Sequence, residues 1–276
     1  MCSGAIILDS NCFKHLEETA IQDKISAILE ELDFEIWPSA LNVFELSKTR
    51  NDAVRKRLLR IVPALCRGRF LLPHPQSILH RVACAALNGE SRFQTSASGL
   101  EWLLEDDSFL TPELINQTQD LSKKMNTSFE RLHSRAREVL SKRFNPGEIR
   151  KRWPSAKVFL DSQWMRPAQL DTFIQNIWKS LDLPGVAPIP LILSLEAWRL
   201  YLEGLGAAIY QRAISLRLSK KVQMSDISQL VYLAGRQRSL LVTEDIGFIE
   251  VAREVIEGRY RDKQILCWED FLRGTL

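Results

Sequence analysis

Five cysteines in 276 residues, odd in number and with no two at the spacing of a metal knuckle, exclude a disulfide framework and a cysteine-based zinc site. Cys2, Cys12, Cys66, Cys84 and Cys267 read as free thiols of a reducing cytoplasm. The four histidines, His15, His74, His80 and His133, show no zinc spacing and no His-Glu-x-x-His pair. No Walker loop is present. Gly204-Leu205-Gly206 lacks the third glycine of a dinucleotide loop and sits in a helix-like run rather than after a strand. No Ser or Cys has the sequence context of a nucleophile. The longest apolar stretch, Val186 to Leu195, is broken by Pro188, Pro190 and Ser194 and is too short for a membrane span. The N-terminus has no basic-plus-apolar signal region. The expectation is a soluble cytoplasmic protein with no membrane partner.

What is present is an apolar content of 45%, enough for a sizeable core, and a net charge of only +3. The charge is unevenly spread. Between Lys123 and Lys157 eleven basic residues face three acidic ones (Glu130, Glu138 and Glu148), a local excess of eight that leaves the rest of the chain net acidic. Such asymmetry points to a polyanion-binding surface.

Both ends of the chain carry an alternating strand and helix pattern. Ala5-Ile6-Ile7-Leu8 is a short continuous apolar run, as expected of a strand buried on both faces. Helical periodicity follows from His15 to Leu32, a second strand over Phe34 to Pro38, a helix from Phe44 to Val62, a third strand over Arg69 to Leu72, and a helix over 76–88. The middle is helical. Thr111-Pro112 gives a helix start, and Leu114, Leu121, Met125, Phe129, Leu132, Ala136, Leu140 and Phe144 form one apolar stripe ending at Asn145-Pro146-Gly147. Further helices are expected over 168–181 and from Leu191 or Ser194 to Leu218, with Gly204 and Gly206 as a weak point. The tail returns to helix over Asp226 to Gln237, strand over Ser239 to Thr243, helix over Ile246 to Glu257, strand over Gln264 to Cys267, and a last turn over Glu269 to Leu272. Alternation of this kind implies an α/β fold with a parallel sheet. The expected organisation is an α/β domain in two parts, residues 1–92 and 205–276, interrupted by an all-helical insertion over 93–204.

Four acidic residues fall where such a fold would gather them. Asp9 and Asp245 directly follow apolar strands, Glu45 lies between Phe44 and Leu46, and Asp226 opens a helix. Carboxylates at the C-terminal ends of parallel strands face the crevice where open sheets bind ligands. Each alone has a structural explanation as a helix cap, a first-turn residue or a solvated position. Glu45 has no Lys or Arg close in sequence expected to pair with it. The conjunction of four points instead to a site for a hard cation.

The segments that carry these acids resemble the PIN-domain family of metal-dependent nucleases. The matching stretches are Ile6-Ile7-Leu8-Asp9-Ser10-Asn11, Ser39 to Leu46, Ser225-Asp226-Ile227, Leu240 to Phe248 and Gln264 to Leu272. The resemblance covers residues 1–90 and 205–276, and the long region between them departs from a compact family core. It implies that Asp9, Glu45, Asp226 and Asp245 are catalytic metal ligands, and that Asn11 and Thr243 supply active-site hydrogen bonds. The presence of all four acids argues against a degenerate, binding-only member. Hard oxygen ligands favour Mg²⁺ or Mn²⁺ over zinc. The implied reaction is hydrolysis of a phosphodiester, most plausibly in single-stranded RNA, by in-line attack of a metal-activated water that leaves a 5′-phosphate.

In this reading Arg131, Arg135, Arg137, Lys142, Arg143, Arg150, Lys151 and Arg152 hold the nucleic-acid backbone, and Trp153 either stacks on a base or belongs to the core. The alternative is a non-catalytic scaffold whose helical insertion binds a protein partner or nucleic acid, with the stripe from Leu114 to Phe144 as its face. Cleavage of DNA flaps and homo-oligomerisation stay open from the sequence.

Overall fold

The computed structural model describes residues 4–17, 19–65, 71–90, 141–162, 169–214, 222–235 and 238–274, with single helical positions between 113 and 138. Its centre is a four-stranded, all-parallel sheet of β1 (Gly4–Leu8), β2 (Phe34–Ile36), β3 (Ser239–Thr243) and β4 (Lys263–Cys267), in the order β2-β1-β3-β4. The two ends of the chain meet at its middle, where Ala5 pairs with Ser239 and Leu8 with Val242. β1 and β3 are buried along their whole length, which their continuous apolar sequences require.

Alternation along these strands serves two cores. Ile7, Leu241 and Ile265 face a cluster that contains Trp153, Trp178 and Trp198. Ile6, Leu8, Leu240 and Val242 face another, built with Phe13, Ile25, Val62 and Phe271. The described helices of the middle region, Pro146–Arg152, Ala156–Asp161, Gln169–Ser180 and Glu196–Ile214, therefore help to cover one face of the sheet. The division expected at 204/205 falls inside the helix Glu196–Ile214. Polar ties support this packing. Arg259 bridges Asp161 at 3.0 Å and Glu203 at 2.8 Å, and buried Lys263 pairs with Glu196 at 3.0 Å.

Several expected elements differ. The third strand is reduced to a single parallel bridge of Leu72 to Ser39, with Arg69 and Phe70 outside the described residues. The run from Phe44 to Val62 divides into helices Ala40–Ser47 and Asp52–Leu65. Asn51 provides the break, its side chain accepting from the Val54 N–H at 3.1 Å. The helix after Asp226 is short, Met224–Gln229, and tightens into a 3-10 turn over Leu230–Leu233. Gly204 and Gly206 do not interrupt their helix. A Cβ on Gly204 would stand 2.5 Å from Leu230 Cδ1 and 3.2 Å from Ile227 Cγ2, so glycine there permits a close approach of two elements.

Of the long helix expected over 111–144, the described positions up to Arg143 are helical and Phe144 is not, and Glu113, Asn116, Asp120, Lys123, Thr127, Arg131, Ser134 and Glu138 are exposed. Leu114, Leu121, Met125, Phe129, Leu132, Ala136 and Leu140 lie outside the described residues. Among the described residues no helix is long and apolar enough to cross a membrane, and Cys12, Cys84 and Cys267 are free thiols.

Candidate active site

From β1 the chain turns to β2 on one side, and β3 then enters on the other side of β1. The C-terminal ends of β1 and β3 thus flank the point where the winding direction reverses, the usual ligand crevice of an open parallel sheet. Asp9 and Asp245 occupy it.

Asp9 is only 3% exposed, and each of its oxygens accepts a hydrogen bond. Gln229 Nε2 donates to Oδ1 at 2.9 Å and Thr243 Oγ1 donates to Oδ2 at 2.7 Å. Thr243 also accepts from the Asp245 N–H at 3.1 Å, which links the two strand ends. Asp245 caps the helix Ile246–Ile256, accepting from the Phe248 N–H at 3.0 Å. A cap uses one lone pair of a carboxylate and leaves the others available.

Glu45 comes from the helix Ala40–Ser47. A capping box starts this helix, with Ser39 and Asn42 exchanging hydrogen bonds. Buried Asn42 then fixes the helix to β1, donating to the Leu8 carbonyl at 2.9 Å and to Ser10 Oγ at 3.3 Å. The Ser10 and Ser225 hydroxyls in turn bond the Glu45 carboxyl. Burial, opposed by those hydroxyls and reinforced by the charge of Asp9, holds Glu45 above its ordinary pKa of 4.5.

Asp226 lies in the first turn of Met224–Gln229 and accepts from the Gln223 N–H at 2.6 Å. Its pKa is raised well above 3.8, chiefly by burial and then by Asp9, with smaller contributions from Glu45 and Asp245. All three other carboxylates therefore act on this one. Cys12 lies beneath them with its thiol 3.5 Å from the Val242 carbonyl. Burial and the Asp9 charge push that thiol well up, which opposes the thiolate form.

Lys48 qualifies the expectation that no base stands near Glu45. It ends the same helix, interacts with both Glu45 and Asp226, and is itself lowered by burial. Asn11 turns elsewhere: its Oδ1 accepts from Lys14 Nζ at 3.0 Å. Ser10, Asn42, Lys48, Ser225 and Gln229 were not singled out by sequence. Spacing carried a signal for three of them, since Asn42, Glu45 and Lys48 recur every third residue on one helix face, as do Asp226 and Gln229.

The donor set is all hard oxygen, and its chemistry fits Mg²⁺ or Mn²⁺. Gln229 Oε1, buried with no hydrogen-bond partner, adds an acceptor beside Asp9. Among the described residues, no group of three or more His, Cys, Asp or Glu side chains forms a ready-made cation cage.

The basic run is largely exposed. Arg131, Lys142, Arg143, Lys151 and Arg152 are at the surface, Arg150 is in the helix Pro146–Arg152, and Arg135 and Arg137 lie outside the described residues. Lys142 pairs with Glu138 at 2.5 Å. Trp153 does not offer its face to a base. It is 2% exposed, edge-on to Phe144 and Phe159 at 5.4 Å each, with the Arg152 guanidinium 5.4 Å from its ring.

No protein-family model matches the chain, and comparison with curated proteins and with solved structures finds no match to it.

Proposed function

We propose that this protein is a PIN-like, metal-dependent nuclease that hydrolyses phosphodiester bonds in single-stranded RNA. The observation that carries this reading is the convergence of Asp9, Glu45 and Asp245 on Asp226, from separate segments, at the reversal point of a parallel sheet. A bound Mg²⁺ or Mn²⁺ supplies water activation and charge neutralisation on the phosphate. The chain's own residues supply the frame. Asp9 is held by Gln229 and Thr243, Glu45 by Ser10 and Ser225, and Asp245 by its cap. Exposed Arg131, Lys142, Arg143, Lys151 and Arg152 support backbone binding.

Lys48 favours a second reading. An ammonium near the acids, with no ready-made cage among the described residues, suits a PIN-like scaffold that does not cleave and binds a partner through its helical region. The two readings separate on labelled single-stranded RNA and DNA incubated with Mn²⁺ or EDTA. The nuclease reading expects RNA cleavage with Mn²⁺, none with EDTA, and loss in Asp9→Asn and Asp245→Asn at unchanged far-UV circular dichroism. Equal cleavage in EDTA rejects it, cleavage of DNA alone moves the substrate, and no cleavage of either leaves the scaffold.

A further inference from the structure

A column of rings runs out of the core at the edge of the crevice. Phe271 and Trp268 are buried, with ring centroids 5.9 Å apart. His15 stacks on Trp268 at 5.7 Å with 26° between the planes, an offset aromatic pair. The His15 Nε2–H donates to Glu244 Oε1, a bond that the neutral ring makes as well as the charged one. Glu244 thus fixes one edge of the ring and Trp268 covers one face, yet 42% of the His15 side chain is exposed. That exposure falls on the opposite face and the remaining edge. All three residues stand at the C-terminal edge of the sheet. His15 lies in the 3-10 helix Cys12–Glu17, which begins with the Cys12 N–H bonded to the Asp9 carbonyl at 2.9 Å. Glu244 follows β3 and precedes Asp245, and Trp268 follows β4, where Cys267 pairs with Thr243. Two further side chains on the same segments suit a nucleotide. Ile246, next to Asp245, is 60% exposed. Lys14 is exposed, and its partner, Asn11 Oδ1 at 3.0 Å, is neutral.

We propose that the exposed face of His15 is a shelf on which one unpaired base of single-stranded RNA stacks, with Lys14 on the adjoining phosphate. This rests on the single-stranded RNA reading above. Every base has a face to stack, so the shelf selects unpaired nucleotides rather than a sequence. A duplex keeps its bases stacked inside and does not fill it. Because Glu244 and Trp268 already hold the ring, binding a base immobilises little of the protein.

Binding of short single-stranded RNA with 2-aminopurine at successive positions, followed by fluorescence in EDTA, tests this. Wild type should quench the fluorescence at one position and bind the same RNA more weakly as a duplex. His15→Ala should lose that quenching and bind about tenfold more weakly, and His15→Phe, which keeps a ring, should restore both. An abasic site at the quenched position should weaken binding to wild type by a similar factor and leave His15→Ala unaffected. The wild-type half of that comparison carries the test if His15→Ala does not fold. Quenching at no position, or a His15→Ala variant that binds and quenches like wild type, overturns the shelf and leaves the nuclease reading to the cleavage assay. Quenching that depends on His15, with no cleavage in Mn²⁺, keeps the shelf and rejects the nuclease.

Discussion

Thr243 donates its hydroxyl to Asp9 Oδ2 at 2.7 Å, joining the ends of the two central strands across 234 residues of sequence. With Gln229 on the other oxygen, it keeps a nearly buried carboxylate satisfied. Thr243→Val retains the shape and removes the donor. A hydrogen bond to a charged group contributes about 1.5–3 kcal/mol, so the valine variant should lose that much in urea unfolding. Thr243→Ser keeps the hydroxyl and should lose less. A loss in Thr243→Ser with none in Thr243→Val would show that the threonine methyl, not the hydroxyl, matters.

Asp226 and Glu45 set the pH response. Both have folded pKa values raised above their ordinary 3.8 and 4.5, chiefly by burial. The folded state then binds more protons than the unfolded chain between the ordinary and raised values. The stability this contributes is fully present below the ordinary values and is lost as pH rises through the raised ones. Without divalent ions, Asp226→Asn should flatten the decline of melting temperature as pH rises above the ordinary carboxylate range, because asparagine can still accept from the Gln223 N–H. A mutant with the slope of wild type would place the titration elsewhere.

The sequence made the frame legible because its strands are short, apolar and bounded. The segment Ser239 to Thr243 is found as expected, and Asp9, Glu45, Asp226 and Asp245 were all named. Partners that depend on tertiary contact were hidden. Gln229 meets Asp9 across 220 residues, and the charges of Glu45 and Asp226, far apart in sequence, both act on Lys48. Of the expected third strand only Leu71 and Leu72 are among the described residues, and there Leu72 makes a single parallel bridge to Ser39. Gly204 read as a weak point because propensity counts its flexibility and not the side chain of Leu230 pressed against it.

Trp153 separates packing from recognition. Its ring fills a pocket with Phe144 and Phe159, and Tyr210 bonds its carbonyl at 2.7 Å. Trp153→Ala should cost about 3–5 kcal/mol of stability, as for large aromatic deletions in cores. Changing Arg150, Lys151 and Arg152 together to Glu should instead weaken RNA binding and flatten its salt dependence. An unchanged salt slope in filter binding would assign that run to a solvated face.

Gly204→Ala tests the contact between the helix Glu196–Ile214 and the segment that carries Asp226 and Gln229. The new methyl cannot fit at 2.5 Å from Leu230. Overpacking of this kind costs about 1–3 kcal/mol, outweighing alanine's better helix propensity of about 1 kcal/mol. Thermal melting should show a net loss, and a gain in stability would mean that Leu230 repacks without strain.

The pairing of β1 with β3 also dictates when the crevice can exist. Asp9 is made 220 residues before Gln229 and 234 before Thr243, with Asp245 later still. Until then β1 has β2 on one edge and nothing in the place of β3 on the other. Closing so long a loop is slow and late in folding. A chain emerging from the ribosome, next to abundant RNA, thus holds Asp9 and Glu45 without Asp226 and Asp245, and no assembled site. The crevice is therefore assembled only once the segment from Gln229 to Asp245 has been made.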